Sequence, residues 1–307
     1  MNVLVTGIGG YVGTLVARAM RDRGHDVRGF SRRPDRIELD VPVIGGDAVS
    51  GDGLHRAMRG IDVAYFLIHS MEPLRSDGDD PFVIRERVAA ERFADAAQRA
   101  GVRRIVYLGG PEPPAQPPSP HLASRLAVER ILLDGVPRSI ALRASIVIGA
   151  RSRAFRFLVR LIERLPVLIL PAWQHHRGMP IDERDIVAAL VACAEDPRAP
   201  AGVLDAAGPE VVSYGALIRR IADAMLVDRP VLTSDRVSAT PIASRIAAVV
   251  AGEQAELIGP LMESLQTDLL PVGPLVSEVL DLRLHSLDAA IEHALSEWER
   301  SEPLAAR

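Results

Sequence analysis

Short apolar runs alternate with amphipathic stretches along the first half of the chain. In the first such stretch, Val12, Leu15, Val16, Ala19 and Met20 recur at helical spacing. This alternation is typical of a parallel sheet with helices on both faces. The predicted strands are Asn2–Thr6, Asp26–Ser31, Val41–Gly45, Asp62–Ile68, Val102–Leu108 and Ser139–Ile148. The predicted helices between them are Tyr11–Arg23, Phe82–Ala100 and His121–Leu133.

The pattern becomes less regular after residue 150. Amphipathic spacing predicts helices over Phe155–Arg164, Ile186–Glu195, Tyr214–Met225 and Leu287–Glu299. The apolar, proline-punctuated segment 230–282 predicts helices and loops packed over the first half. We therefore predict an α/β fold. It has a Rossmann-type, doubly wound parallel domain over residues 1–150 and a smaller, mostly helical substrate-binding or cap region over 151–307. Residues 181–212 are expected to return to the first domain's core.

Composition narrows the class of protein. The 307 residues are 48% hydrophobic, with a net charge of −4 and a pI of about 6.1, so no global field favours nucleic acid or anionic lipid. Cys193 is the single cysteine, which excludes an intrachain disulfide and fits a reducing cytoplasm. The longest apolar run, Leu165–Pro171, is too short to span a bilayer. We expect a cytoplasmic protein, monomeric or homodimeric, without a transmembrane segment.

A glycine-rich turn stands between the first strand and the first helix. Residues 6–13 read TGIGGYVG, which places Gly7, Gly10 and Gly13 at the spacing of a dinucleotide-binding turn. The first glycine permits a sharp turn, the second lets a pyrophosphate approach the backbone, and the third lets the helix pack close to the strand. A glycine pattern alone is weak evidence, but its strand–turn–helix context predicts a dinucleotide cofactor.

The end of the second strand indicates which dinucleotide binds. The chain has Ser31, Arg32 and Arg33 there, and no carboxylate before Asp35. A carboxylate at this point binds the ribose 2′-hydroxyl of NAD, whereas arginine binds the 2′-phosphate of NADP. We therefore predict NADP, with NAD as the alternative if both arginines are only solvated surface charges. Asp47, after the third strand, is placed to meet the adenine amino group.

Further segments resemble a known superfamily. They are LRASIVIG (Leu142–Gly149), MPIDERDIVAALVACAED (Met179–Asp196) and AGVLDAAGPEVVSYGALIRRIADAM (201–225). Together with the glycine turn and the sequence GDA at 46–48, they resemble the short-chain dehydrogenase/reductase superfamily. The resemblance is strongest to its extended and atypical branches, which include NmrA-like proteins, nucleoside-sugar epimerases and dehydratases, and complex I accessory subunits. It covers roughly residues 1–225, with Ala144 in place of the family's proline.

The glycine turn, the strand ends and this resemblance together predict the cofactor contacts. These are Thr6, Gly7, Gly9, Gly10, Tyr11, Val12, Gly13, Ser31, Arg32, Arg33, Asp47, Ala48, Leu67, Ile68, His69, Gly109, Arg125, Ala144, Ser145 and Ile146.

The resemblance also shows what the chain lacks. Most of these enzymes use a tyrosine, a lysine four residues later and a serine after the fifth strand. In the matching segment HLASR, His121 takes the place of the tyrosine and Arg125 that of the lysine, with Glu129 supporting the register. Gly109 and Gly110 stand where the serine-bearing pair is usual. Because all 36 basic residues are arginines, the Ser/Tyr/Lys triad is absent from this chain.

Three residues are the candidates for chemistry. His121 is suited to general acid catalysis by its pKa range, or it is only a polar residue lining a cleft or starting the helix. Arg125 can donate to ribose hydroxyls but cannot relay protons, since a guanidinium stays charged. His69 follows the fourth strand at the edge where α/β sheets bind ligands, or it is an ordinary loop histidine.

Other chemistry-bearing residues have plainer interpretations. His175 and His176 are adjacent, which is poor spacing for a metal site. Asp185 is predicted to be the N-cap of the helix that follows it. A mostly apolar pocket above the nicotinamide is expected from four residues, although core packing is the default for each. They are Phe155, Phe157, Trp173 and Met179. The segment 113–120 (PPAQPPSP) is a surface linker or a flap over a site.

Three functions remain open. The leading one is an NADPH-dependent reductase of the atypical short-chain type, acting on a hydrophobic carbonyl, imine or conjugated alkene. The first alternative is a non-catalytic NADP(H)-binding sensor or scaffold of the NmrA-like or complex I accessory-subunit type. The second is a nucleotide-sugar epimerase or dehydratase. The missing tyrosine and lysine argue against the second, because it needs a tuned base.

Overall fold

A seven-stranded parallel sheet forms the centre of the protein. The computed structural model describes residues 1–68, 82–113, 117–234 and 266–304. The strand order is β11-β6-β5-β4-β1-β2-β3, and each neighbouring pair is parallel. These strands are β1 (Asn2–Thr6), β2 (Asp26–Ser31), β3 (Val43–Gly45), β4 (Val63–Phe66), β5 (Arg104–Gly109), β6 (Ile140–Ala144) and β11 (Gly202–Ala206). The order reverses between β1 and β4, so the predicted doubly wound, Rossmann-type fold is confirmed.

Helices cover both faces of this sheet. On one face lie α1 (Tyr11–Asp22) and α6 (Glu183–Glu195); on the other lie α2 (Leu54–Met58), α3 (Phe82–Arg99) and α4 (Pro120–Gly135). Because successive side chains of a strand point to opposite faces, β1 sends Val3 and Val5 into the first core and Leu4 into the second. The sheet is therefore buried on both sides, as its continuous apolar strands require.

The second half builds a third core beside the carboxyl end of the sheet. Its main helices are α5 (Arg153–Arg164), α7 (Tyr214–Ala224) and α9 (Leu287–Ser301), and a short helix α8 (Val276–Val279) packs on β11. Three two-stranded sheets accompany them. The pairs are β7 (Val147–Ile148) with β10 (Ile181–Asp182), β8 (Leu168–Pro171) with β13 (Val231–Ser234), and β9 (Arg177–Gly178) with β12 (Val212–Ser213).

Several sequence predictions needed correction. The strand predicted over Ser139–Ile148 breaks after Ala144, because β7 leaves the main sheet to pair with β10. The segment is mostly apolar on both sides of the break, so its pattern does not show that change of partner. Strand β11 and helix α2 are additional to the predicted elements. Strand β13 forms at the start of the segment predicted as helices and loops, most of which lies outside the described residues.

The predicted capping residue was also wrong, and of the two interpretations of the pocket aromatics the structure supports core packing. Asp182, not Asp185, caps α6, with its carboxylate 2.7 Å from the backbone nitrogen of Arg184. Asp185 is instead buried and accepts hydrogen bonds from the backbone nitrogen of His285 at 2.8 Å and from its ring. Phe155, Phe157 and Trp173 belong to the third hydrophobic core rather than to a pocket.

Candidate functional site

The glycine turn is held in shape by close backbone contacts. The Thr6 hydroxyl donates to the Tyr65 carbonyl at 2.9 Å, which ties β1 to β4 at the start of the turn. Gly7 has φ of +68°, and a Cβ there would lie 2.4 Å from the Leu67 carbonyl oxygen. A Cβ at Gly13 would lie 2.2 Å from the Gly7 carbonyl oxygen. The first and third glycines therefore do what the motif requires of them.

Helix α1 presents an uncapped N-terminus to this turn. Gly10 precedes the helix, no side chain caps it, and its first turn contains no acidic residue. The first N–H groups of a helix have no partner within the helix, and the helix dipole adds positive potential there. These donors fit an anionic ligand, and the tight glycine turn leaves the backbone open to it. The turn thus fits the pyrophosphate of a dinucleotide.

A cavity of about 950 Å³ lies above the turn, at the carboxyl edge of the sheet. Of the predicted cofactor contacts, those that line it are Gly7, Gly9, Gly10, Tyr11, Val12, Gly13, Ser31, Arg32, Asp47, Ala48, Leu67, Ile68 and Arg125. The edge of a parallel sheet next to a reversal in strand order is where such folds bind ligands. The structure therefore brings most of the predicted contacts together in one cavity.

The other predicted residues do not line the cavity formed by the described residues. Thr6 is buried beneath the turn, and Ala144 and Ile146 are buried in the cores. Arg33 is exposed outside the cavity, Gly109 packs against Tyr107, and the Ser145 hydroxyl lies 3.4 Å from the Met179 carbonyl. His121 lies half-buried in the first turn of α4, away from the lining. His69 lies outside the described residues.

Arg125 is anchored at the end of β5. Its guanidinium donates to the Leu108 carbonyl and lies 5.2 Å from the centre of the Tyr107 ring. The Tyr107 hydroxyl in turn lies 3.3 Å from the Arg125 carbonyl. Burial raises the pKa of Tyr107 to about 12, so its hydroxyl stays a neutral donor in this contact. Arg125 therefore occupies the cavity as a fixed positive charge.

The part of the cavity lining that the structure describes is rich in arginine, which the sequence did not indicate. Among the described residues, this lining contains one carboxylate, Asp47, one oxygen of which accepts from the backbone nitrogen of Val49 at 2.7 Å. The lining arginines are Arg32, Arg85, Arg92, Arg125, Arg151 and Arg153. The seven-residue spacing of Arg85 and Arg92 in the predicted helix signalled that they share a face. Nothing in the sequence showed that this face meets the cavity.

Other kinds of site find no support in the described part of the chain. Within it, no group of three or more histidine, cysteine, aspartate or glutamate side chains could hold a metal ion. No helix among the described residues is both long and apolar enough to cross a membrane.

Comparisons with known proteins agree with this geometry. The profile of the NAD(P)H-binding family matches residues 7–132. A 3β-hydroxysteroid dehydrogenase/Δ5→4-isomerase of Mycobacterium tuberculosis is 35% identical over 114 residues, which is 34% of this chain and 30% of that protein. A UDP-glucose 4-epimerase of Azospirillum brasilense is 31% identical over 174 residues, 48% of this chain and 50% of the relative. The matches thus span half or less of these relatives' own length.

The fold comparison extends over the whole chain. A short-chain dehydrogenase/reductase superfamily protein from Agrobacterium tumefaciens, solved with bound NAD, superposes with a TM-score of 0.68 at 19% identity. The superposition covers 98% of both chains. The family match shows an NAD(P)H-binding domain over residues 7–132. The superposition shows that the chain as a whole shares the fold of the Agrobacterium protein.

Proposed function

We propose that this protein is an NADPH-dependent reductase acting on a hydrophobic carbonyl, imine or conjugated alkene. The observation that carries the proposal is the cavity itself, where the described residues bring an uncapped helix N-terminus and six arginines together with one carboxylate. Such an excess of positive charge suits a ligand with several phosphates, and each arginine can bind a phosphate through two parallel hydrogen bonds.

The preference for NADP rests on the end of β2. Arg32 lines the cavity directly after Ser31, and no acidic side chain of the described residues lines it at this strand end. A phosphomonoester carries nearly two negative charges at pH 7, so Arg32 favours NADP over NAD. Arg92 strengthens the preference, since its side chain reaches the loop after β3 that holds Asp47.

The chain's own residues would bind and orient the dinucleotide. The backbone N–H groups at Tyr11, Val12 and Gly13 would hold the pyrophosphate, and Arg125 would donate to ribose hydroxyls as the family's lysine does. When bound, the reduced dinucleotide supplies a hydride. Since a guanidinium does not release protons at physiological pH, a group other than Arg125 must protonate the substrate. His121, the donor that the sequence suggested, does not line the described part of the cavity.

Two relatives bear on the substrate. The Mycobacterium tuberculosis relative is named for a hydroxysteroid, which supports a hydrophobic substrate. The Azospirillum relative is named for UDP-glucose. The epimerase alternative is disfavoured because His121 and Arg125 stand where the family has its tyrosine and lysine. The lack of that tyrosine and lysine is also the observation that favours a non-catalytic sensor as the second candidate.

One pair of measurements separates these functions. NADPH fluorescence gives the affinity for the dinucleotide, and NADPH consumption is then followed across a panel of enones, quinones, imines, aldehydes and steroid ketones. The reductase proposal expects tight NADPH binding and turnover with at least one apolar member of the panel. Tight binding with no turnover on any member supports the sensor instead, and no binding of either dinucleotide contradicts both.

A further inference from the structure

Only one of the chain's tyrosines faces the cofactor cavity. The sequence has four tyrosines, and all of them lie in described segments. Tyr65, Tyr107 and Tyr214 are each at most 2% exposed and pack in the hydrophobic cores. Tyr11 alone lines the cavity, at the first position of α1. Tyr11 is therefore the tyrosine whose phenol is placed to take part in a reaction in this cavity.

The phenol of Tyr11 is held by a carboxylate remote in sequence. Its hydroxyl donates to the Glu183 carboxylate at 2.5 Å, which joins the first residue of α1 to the first residue of α6. Gly149 makes this contact possible, because a Cβ there would lie 2.0 Å from the Tyr11 hydroxyl and 2.4 Å from the carboxylate. The three residues therefore form a close-fitting polar junction at the cavity wall.

The second carboxylate oxygen of Glu183 contacts a side chain on the side away from the cavity. It lies 3.4 Å from the Nε2 atom of His293 on α9, and the two form an ion pair when the imidazole is protonated. The His293 side chain is 29% exposed, against 13% for Glu183. Tyr11, Glu183 and His293 thus connect the cavity to the protein surface through side chains that can each carry a proton.

The surroundings of Tyr11 keep its phenol protonated. Burial raises the pKa of Tyr11 far above its ordinary value, and the charge and hydrogen bond of Glu183 add to the rise. Asp182 raises the pKa further, and only Arg151 opposes it among the charged groups that face the phenol. The usual family tyrosine is instead prepared by a lysine that lowers its pKa. Tyr11 therefore rests as a neutral phenol, which can protonate an oxygen as basic as a developing alkoxide, and its phenolate is not formed in the resting protein to take a proton from a hydroxyl.

We propose that Tyr11 is the proton donor of this enzyme and that Glu183 and His293 resupply its proton from solvent. This inference rests on the proposed reductase function. As the substrate carbon receives the hydride, the phenolic O–H bond breaks and its proton passes to the carbonyl oxygen, giving the alcohol. The phenolate then recovers a proton from protonated His293 through Glu183, and His293 is reprotonated by water. The direction of this relay suits reduction and opposes the epimerase alternative.

The test uses the full-length protein and a carbonyl substrate found in the panel above. Tyr11→Phe should lower kcat by about 100-fold or more while leaving the Kd for NADPH within about threefold, as expected for loss of a general acid. Glu183→Gln and His293→Asn should lower kcat and weaken its dependence on pH, because resupply then relies on water. Tyr214→Phe, a buried phenol outside the cavity, and His25→Asn, from the surface pair His25–Glu195, are the matched controls and should leave kcat unchanged.

A second readout needs no dinucleotide. In an alkaline ultraviolet titration compared with Tyr11→Phe, Glu183→Gln should let Tyr11 ionise at lower pH, because the carboxylate that opposes the phenolate is gone. If the wild-type protein consumes NADPH and the Tyr11→Phe variant has the same kcat, the donor role of Tyr11 is overturned and the reductase function stands. A wild-type protein that binds NADPH and reduces nothing would overturn the reductase function, and the donor role with it.

Discussion

Arg143 on β6 and Glu129 on α4 form a double hydrogen bond across the face of the sheet. Nε of Arg143 lies 2.9 Å from one carboxylate oxygen, and Nη2 lies 2.7 Å from the other. Glu112 contacts the same guanidinium. The hydrogen bonds that Arg143 donates to Glu129 raise the pKa of Arg143, so its guanidinium stays charged. The pair fixes the helix that carries Arg125 against the strand beside β5.

Breaking this pair should destabilise the fold. Glu129 is only 3% exposed, so Glu129→Gln leaves a buried guanidinium with one weaker partner. We expect the free energy of unfolding in urea to fall by about 3 kcal/mol, the lower end for broken buried pairs, since Glu112 still offsets part of the charge. Glu91→Gln removes the carboxylate of the exposed pair with Arg87 and should cost no more than about 0.5 kcal/mol. Equal losses in the two variants would contradict the structural role of Glu129.

Two glycines of the same turn should respond differently to alanine. A Cβ at Gly13 meets the backbone of Gly7 at 2.2 Å, whereas a Cβ at Gly9 meets only the end of the Ile37 side chain at 2.9 Å. A side-chain end can move and a backbone carbonyl in a tight turn cannot. Gly13→Ala should therefore lower the free energy of unfolding by about 3 kcal/mol and weaken NADPH binding, while Gly9→Ala should cost less than about 1 kcal/mol. Urea unfolding of the two variants measures both losses in the free energy of unfolding, and equal losses would contradict this difference.

The parts of the site that the sequence predicted are those in which neighbours along the chain are neighbours in space. The turn from Gly7 to Gly13 and the strand end at Arg32 are each one continuous segment, so their spacing alone carries the geometry. The alternation of apolar and amphipathic segments likewise predicted the doubly wound sheet, because each βα unit is local.

The parts that escaped prediction join remote segments. Tyr11 and Glu183 are separated by 172 residues, and no periodic pattern records that α1 and α6 begin side by side. Arg151 reaches the cavity only because β7 leaves the main sheet and turns the chain toward α5. Both features depend on which strand pairs with which, and an apolar run does not encode that choice.

Adjacent arginines at the end of β2 should differ in their effect on cofactor affinity. Arg32 lines the cavity and Arg33 does not, although both are exposed. Arg32→Ser should raise the Kd for NADPH about tenfold or more and leave that for NADH nearly unchanged, since a charge-assisted phosphate contact is worth about 1.5–3 kcal/mol. Arg33→Ser is the matched control and should change neither value by more than about twofold. The Kd values of both dinucleotides are measured by fluorescence titration. Equal changes in Kd for the two variants would contradict the assignment.

Cys193 should make the protein less stable as the pH rises through the alkaline range. Burial raises the pKa of this thiol from 9.0 to about 12, and nearby Arg104 only partly opposes the rise. Below pH 9 the thiol is protonated in both the folded and unfolded states, so it adds no pH dependence. Between pH 9 and 12 the unfolded chain releases the proton and the folded chain keeps it, so stability falls by up to about 1.4 kcal/mol per pH unit. Cys193→Ala should flatten the alkaline slope of the urea unfolding free energy by that amount. An unchanged slope would show that the buried thiol does not set it.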